Sequence, residues 1–460
     1  MAEDQLEQNS SLEQPSYMVQ DDVVTVVLTA DNHLGYTRLG QQPRKHEELQ
    51  QRLRRAFQQA TDFAVGQRVD LFVQAGDLFH TPVPDERDRS FVAARLAQLR
   101  QAGIRTFVVG GVHDTPAEAS AYLSEAALAP QMSYARLGAL HYFAPSSTEL
   151  EPVVLKVRNE LIGICGLGVV AGQVGNPLTQ VRVQSDLERA TISLLLLHAP
   201  IEGVTSGSSL LDSRAKVSRA SIEQQSSFRY ILAGYDHCYQ HVRIGHSEVI
   251  VAGATQYIDF RSPEQKPGFV FLGLAADGIR WSTHIPVETL TMQRLLISMQ
   301  DLWLDETPIE QTNPTEAILT QLRPLCNEQT MVQLRLVGKL TRSQYHQLDL
   351  NRIRRYGEQH CFALAIDDSD LEIVSSGSKA GLTPTRGVTT DATGQVRSDV
   401  VTPLVGARLS HQIERLSPRE ELVALADQWV AESLDEQEKQ ALHATKEDLL
   451  VAFDQIVGVQ

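Results

Sequence analysis

Aspartates and histidines recur in this sequence just past runs of apolar residues. Asp31-Asn32-His33 follows residues 23–30, Gly76-Asp77 follows 69–75, and Gly111-Val112-His113-Asp114 follows 104–109. His198 ends the apolar run 192–197, and Gly234-Tyr235-Asp236-His237 follows 228–233. Carboxylate and imidazole ligands together suit Mn2+, Fe2+ or Zn2+. Taken one at a time these elements are weak signals, since an Asp in a Gly-Asp turn more often bonds its own backbone. Five in order at successive strand ends are not expected by chance, and an open α/β sheet gathers its ligands at those ends.

The elements that must position them alternate between strand and helix. The valine-rich run 23–30 reads as a strand buried on both faces. Leu49, Leu53, Ala56, Phe57, Ala60, Phe63 and Ala64 then recur at three- and four-residue spacing, one apolar stripe on a helix. Strand 69–75, a helix carrying Phe91, Val92, Leu96 and Leu99, and strand 104–109 repeat the unit. Strands at 161–167, 192–197, 228–233, 249–252 and 269–274 have shorter, irregular connections. The expected fold is α/β: a two-sheet sandwich flanked by helices over residues 21–286. A small α+β domain follows at 287–374, with a helix at 315–323 that stops before Pro324, strands at 332–337 and 362–366, and a helical stretch at 344–356 between them.

Residues 375–408 are rich in Gly, Ser and Thr without periodicity and read as a flexible linker. In 409–460 two amphipathic helices are expected, one carrying Leu422, Leu425 and Trp429, the other Leu450 and Phe453. Such stripes serve to dock on a partner, or pack on their own chain or on a second copy of it. Residues 1–20 read as a disordered leader with neither the basic start nor the apolar run of a signal peptide. No apolar run approaches the ~20 residues that a membrane-spanning helix needs. With 41 basic and 57 acidic residues the formal charge is −16, which excludes a protein that coats nucleic acid by bulk charge. Cys165, Cys238, Cys326 and Cys361 lack zinc-type or disulfide-framework spacing, so a reducing, cytoplasmic setting is expected. His80, His141, His241 and His246 read as ordinary polar histidines, with His80 the first exception to consider because it follows the Gly-Asp turn.

The segments Thr29-Ala30-Asp31-Asn32-His33-Leu34-Gly35-Tyr36 and 70–80, ending Gly76-Asp77-Leu78-Phe79-His80, resemble the calcineurin-like metallophosphoesterases. Val251-Ala252-Gly253-Ala254, Asp259-Phe260 and Lys266-Pro267-Gly268-Phe269 narrow the resemblance to the SbcD family, nuclease subunits of a double-strand-break repair complex whose partner is the SMC-type ATPase SbcC. The likeness is strong over 23–286, looser over the small domain, which lies where that family has a DNA-contacting capping domain, and only positional for the terminal helices.

The resemblance implies two divalent cations, preferably manganese, roughly 3.5–4 Å apart for in-line displacement at phosphorus. It makes Asp77 the bridging carboxylate, completes the first metal's set with Asp31, His33 and His237, and gives the second metal Asp77 and His198. His113, oriented by Asp114, would protonate the leaving oxygen or steady the phosphate. Two positions depart from the family's wording. Its Gly-Asn-His-Asp is here Gly111-Val112-His113-Asp114, and its Gly-His-x-His is here Gly234-Tyr235-Asp236-His237. Val112 cannot coordinate, and Tyr235 is a poor ligand at neutral pH because a phenol's pKa is about 10. The expected outcome is one strong metal site beside a weak or absent second one. The implied function is a metal-dependent DNA phosphodiesterase, exonuclease or endonuclease, of reduced or altered activity. The alternatives are an impaired DNA-binding or scaffold subunit of the same complex, or a small-molecule phosphoesterase.

Overall fold

The computed structural model describes residues 22–37, 42–116, 128–146, 148–205, 215–258, 260, 266–300, 302 and 313–374. The leader, the linker, and the terminal helices with Leu422, Leu425, Trp429, Leu450 and Phe453 lie outside the described residues. All the described residues fall within one compact unit, Met1–Ser376.

Two six-stranded sheets face each other. The first runs in the order Gly278–Pro286, Gly268–Ala275, Val24–Thr29, Leu71–Ala75, Arg105–Val109, His141–Phe143. The second runs Gln240–Ile244, Ser247–Val251, Tyr230–Gly234, Ile192–His198, Glu160–Leu167, Val153–Val157. Parallel pairing aligns Val26 with Leu71 and Leu71 with Arg105 in the first sheet. In the second it aligns Gly234 with His198. Every site-bearing strand therefore ends at the same edge of the sandwich.

Side-chain alternation explains why these strands read as continuous apolar runs. Val24, Val26, Leu28, Leu71 and Val73 point inward and meet Leu194, Leu196, Leu232 and Ile250 of the other sheet. Val27, Phe72 and Val108 point outward onto Leu49, Leu53, Phe57, Val92 and Leu96 of the helices Pro43–Gln67 and Glu86–Gln101. The outward residues of the second sheet, among them Leu195, Leu197 and Ile231, lie under loops and short helices through Ile201, Val217 and Ile222. Each fully buried Leu, Val or Phe contributes about 1.5–3 kcal/mol. The helix Pro43–Gln67 has proline in its first turn and ends on Arg68 at φ 51°, whose N–H caps Ala64 and Val65 carbonyls.

The small domain is a three-stranded parallel sheet, Thr291–Ser298, Thr330–Thr341 and Ala363–Val374. It does not stand apart, because Met292, Met331 and Phe362 bury in the same core as Leu49 and Phe57. Lys45 donates to the carbonyls of Glu358 and Cys361 at 2.6 and 2.7 Å, and Arg52 to Gln329 at 2.6 Å. The α-helix stops before Pro324 as expected: Pro314–Leu322 gives way to a 3-10 turn, Arg323–Leu325, which tolerates proline near its start. The cysteine expectation is corrected here, since Cys326 and Cys361 form a disulfide whose Cα atoms are 4.7 Å apart. A sequence separation of 35 hides a pairing that the fold creates. No helix among the described residues is long and apolar enough to cross a membrane.

Candidate metal centre

The strand ends bring together Asp31, His33, Asp77, His198 and His237. Asp31, His33 and His237 form one cluster of potential ligand atoms, all within 4.8 Å of one another, and Asp31, Asp77 and His198 form a second. A third comprises His33, His80 and His113.

Sharp backbone geometry makes this convergence possible. Six non-glycine residues among those described have positive φ, and four of them are here: Asp31 at 48°, His33 at 45°, Asp77 at 54° and Tyr235 at 89°. That conformation is unfavourable for an L-residue and persists only where surroundings enforce it. Cross-strand bonds supply the enforcement: Asp31 N–H donates to the Gly76 carbonyl and His33 N–H to the Asp77 carbonyl, both at 3.0 Å. Close approach requires glycine at three points, Gly76 and Gly234 between the two sheets and Gly111 between two loops of the first. A Cβ on Gly76 would lie 2.2 Å from His198 Nδ1, one on Gly111 2.1 Å from Asp77 Oδ1, and one on Gly234 2.2 Å from the Ala75 carbonyl.

Asp77 is the hub. Its Oδ1 accepts the His113 backbone N–H at 2.7 Å, while Oδ2 lies 3.4 Å from His198 Nε2 and 3.8 Å from His33 Nε2. Burial would raise its pKa most, but the adjacent His198 and His33 together hold the carboxyl well below its usual range. Asp31 is equally buried, and loss of hydration pushes it up to about 7 against the pull of His198 and His237. Its two carboxylate oxygens accept the Tyr235 N–H at 3.2 and 3.0 Å. His198 turns Nδ1 to the Ala75 carbonyl at 2.8 Å. Burial opposes its charge, yet Asp77 and Asp31 outweigh burial and push it up to about 9. His33 is held well below its ordinary value, first by burial.

The Nε2 atoms of His33 and His198 are buried and have no hydrogen-bond partner. Both are directed toward one Asp77 oxygen. Unpartnered buried nitrogens converging on carboxylates are costly as they stand and are satisfied by a cation between them. The donor set thus fits a divalent metal held by Asp31, His33, Asp77 and His237, with Asp77 and His198 facing a second position.

At that second position both departures are visible. Val112 is half exposed, 50%, and turned into a cavity that also touches His198 and Tyr235. The Tyr235 ring stands edge-on to His198 at 5.7 Å. Asp236 does not substitute: its carboxylate accepts from Cys238 N–H at 3.2 Å and Gln240 Nε2 at 3.4 Å, on the far side of the segment.

The role expected of Asp114 is corrected. Its carboxylate accepts from Leu78 N–H, Phe79 N–H, Gly111 N–H and Gln131 Nε2, so it ties two loops together rather than orienting the His113 ring. His113 is instead placed through its backbone bond to Asp77 and by stacking on His80 at 4.6 Å. His80 joins the site in a second way, with Nδ1 3.2 Å from His33 Nδ1.

Two supporting residues were missed in the sequence. Gln74 donates to Asn32 Oδ1 at 3.2 Å and the Gly76 carbonyl at 2.7 Å, and Asn32 in turn donates to Thr29 and Thr255. This buried amide network pins Asn32 away from its neighbours Asp31 and His33. A glutamine inside an otherwise apolar strand was the available signal. Gln131 gave none, being remote in sequence from Asp114.

Residues 24–239 match the family model described as calcineurin-like phosphoesterase, so the chain carries a domain of that type. It is similar to the DNA double-strand break repair protein Mre11 of Archaeoglobus fulgidus, 37% identical over 94 residues, which are 20% of each chain. The protein of the same name from Thermoplasma acidophilum is 34% identical over 87 residues, 19% of this chain and 22% of the relative. That from Sulfurisphaera tokodaii is 31% identical over 84 residues, 18% of this chain and 22% of the relative. The chain thus spans about a fifth of the length of these relatives. Among solved structures, a dimetal phosphatase from Danio rerio aligns over 58% of this chain and all of its own, with 13% identity and a TM-score of 0.33.

Proposed function

We propose that this protein is a metal-dependent phosphodiesterase acting on DNA, the nuclease subunit of an SbcCD-like repair complex, with manganese as its metal and with reduced or altered activity. The observation that carries the reading is the convergence of Asp31, His33, Asp77, His198 and His237 at one sandwich edge, with two buried imidazole nitrogens left for a cation. Similarity to DNA double-strand break repair proteins supports DNA as the substrate over a small phosphate ester.

A bound divalent ion supplies positive charge for the non-bridging phosphate oxygens and lowers the pKa of an attacking water. The chain's own groups do the rest. Asp31 and Asp77 hold the charge that fixes the ion, and buried backbone bonds keep both from drifting. His113, exposed at the rim and stacked on His80, can deliver a proton to the leaving oxygen. Burial first, then the neighbouring His113, lowers the His80 pKa, which favours a neutral ring beneath it.

One observation favours a second reading, an impaired DNA-binding or scaffold subunit: Val112 and Tyr235 leave the position beside His198 with few donors. Manganese-dependent cleavage of double-stranded and single-stranded DNA by the purified chain, with Asp77→Asn as control, separates the two. Cleavage lost in the variant supports the enzyme. DNA binding without cleavage in the intact chain, at any manganese concentration, supports the scaffold. The partner in either reading is an SMC-type ATPase.

A further inference from the structure

The disulfide between Cys326 and Cys361 closes the face by which the small domain sits on the phosphoesterase domain. Helix Pro43–Gln67 meets that face with Lys45, Leu49 and Arg52, which fall on one stripe at four- and three-residue spacing. Lys45 Nζ donates to the Cys361 carbonyl, and Leu49 shares a core with Phe362. Arg52 donates to the Gln329 side chain and lies 6.0 Å from the centre of the Phe362 ring. All of these contacts fall on the two loops that the disulfide ties together, 326–330 and 361–362, which also meet through Phe362 N–H and the Thr330 carbonyl at 2.9 Å. The same helix reaches the metal centre: Gln50 donates to the Tyr36 carbonyl, and the Tyr36 ring stands edge-on to His80 at 4.8 Å.

We propose that this disulfide is a redox switch: exchange with a soluble dithiol opens it and loosens the two loops that seat the small domain on helix Pro43–Gln67, and reoxidation locks them again. Three observations set it apart from a fixed staple. The small domain does not need a cross-link to hold together, because Ile318, Leu322, Val332, Leu334 and Ile353 bury a core of its own. Cys165 and Cys238 remain thiols, so the pair belongs to no wider disulfide framework. Cys361 is buried, 1% exposed, whereas Cys326 is only half-buried and is the half of the pair that a reductant can reach. A thiolate of the dithiol attacks Cys326 Sγ, the S–S bond breaks, and Cys361 leaves and takes up a proton. The second thiol of the dithiol then attacks the mixed disulfide, so Cys326 also becomes a thiol and the reductant, having given up two electrons and two protons, becomes the disulfide. The hydrogen bonds of the seat remain, but without the tie each loop opens by its own local fluctuation.

Hydrogen exchange of the full chain, read by mass spectrometry in reduced and in oxidised dithiothreitol, tests the switch, with alkylation and peptide mapping to report the state of each cysteine. Reduction should convert Cys326 and Cys361 to thiols in the folded protein and speed exchange in 326–330, 361–363 and 43–52 about tenfold or more, leaving the strands Val24–Thr29 and Leu71–Ala75 unchanged. Return to oxidised dithiothreitol should restore the protection. Cys326→Ser should show the fast exchange in both buffers, which assigns the response to this pair and not to Cys165 or Cys238. Three results on the unaltered chain would overturn the proposal, whether or not that variant folds. They are thiols at both positions even in the oxidised buffer, a disulfide that is reduced only in denaturant, and reduction that leaves exchange at the seat unchanged or speeds it equally throughout the chain.

Discussion

His198 and Asp77 come from different sheets and face each other across the open edge of the sandwich, Nε2 to Oδ2 at 3.4 Å. The Ala75 carbonyl holds the other ring nitrogen at 2.8 Å, so the imidazole cannot turn without losing a buried bond. A nitrogen fixed against a buried carboxylate is stable only with positive charge between or upon them. A proton on His198, which Asp77 and Asp31 push up to about 9 against burial, or a cation between the two supplies that charge.

Asp77 performs two jobs that substitution can separate. Asp77→Asn keeps an oxygen to accept the His113 N–H but removes the negative charge, so the fold should survive while metal affinity falls by more than about 100-fold. Elemental analysis after desalting, with urea denaturation as the control for folding, reads both. A variant that retains metal at the wild-type level would end the hub assignment.

Gly76 sits at φ 94° with no room for a methyl group beside His198. Gly76→Ala should cost about 3 kcal/mol of stability through strain and forced displacement of the imidazole, and should weaken metal binding as well. Unchanged denaturation midpoint and metal content would show that the sheets can separate here without consequence.

Val112→Asn with Tyr235→His should raise manganese-dependent DNA cleavage well beyond either single change. Beside His198, with Asp31 and Asp77 shared with the first position, one added donor gains little by itself, and the second substitution keeps a side chain at the same strained φ of 89°. Cleavage rates for the four proteins decide it. Additive or absent effects would mean that the rest of the cleft has diverged too.

If residues 409–460 dock on the proposed SMC-type ATPase, deleting them should abolish its capture and leave the metal centre intact. The apolar stripes through Leu422, Leu425 and Trp429 and through Leu450 and Phe453 need something to bury against. Undiminished pull-down by the truncated chain would remove the docking role, and a change from dimer to monomer would assign this segment to self-association.

Local patterns reveal much of this molecule, and long-range ones little. Residues 23–30 and 192–197 announced their strands because both faces are buried and every position is apolar or nearly so. The edge strand Gly278–Pro286 and the short His141–Phe143 were not anticipated, because a half-exposed edge or a three-residue strand carries too little periodicity. Asp31, His33, Asp77, His198 and His237 were legible through their place after strands. The partners of Asp114 were not, since an acidic residue beside a histidine looks the same in sequence whether it meets the ring or, as here, four donors elsewhere. The Cys326–Cys361 pair and the shared core under helix Pro43–Gln67 depend on how distant segments pack, which spacing does not encode.

Metal stoichiometry tests the central claim most directly. Metal-depleted full-length protein titrated with manganese should take up one equivalent tightly, with any second equivalent at least ~100-fold weaker, because Asp31, His33, Asp77 and His237 supply one full donor set while Val112 and Tyr235 deplete the other. Two equivalents bound with similar high affinity, or none, would contradict it.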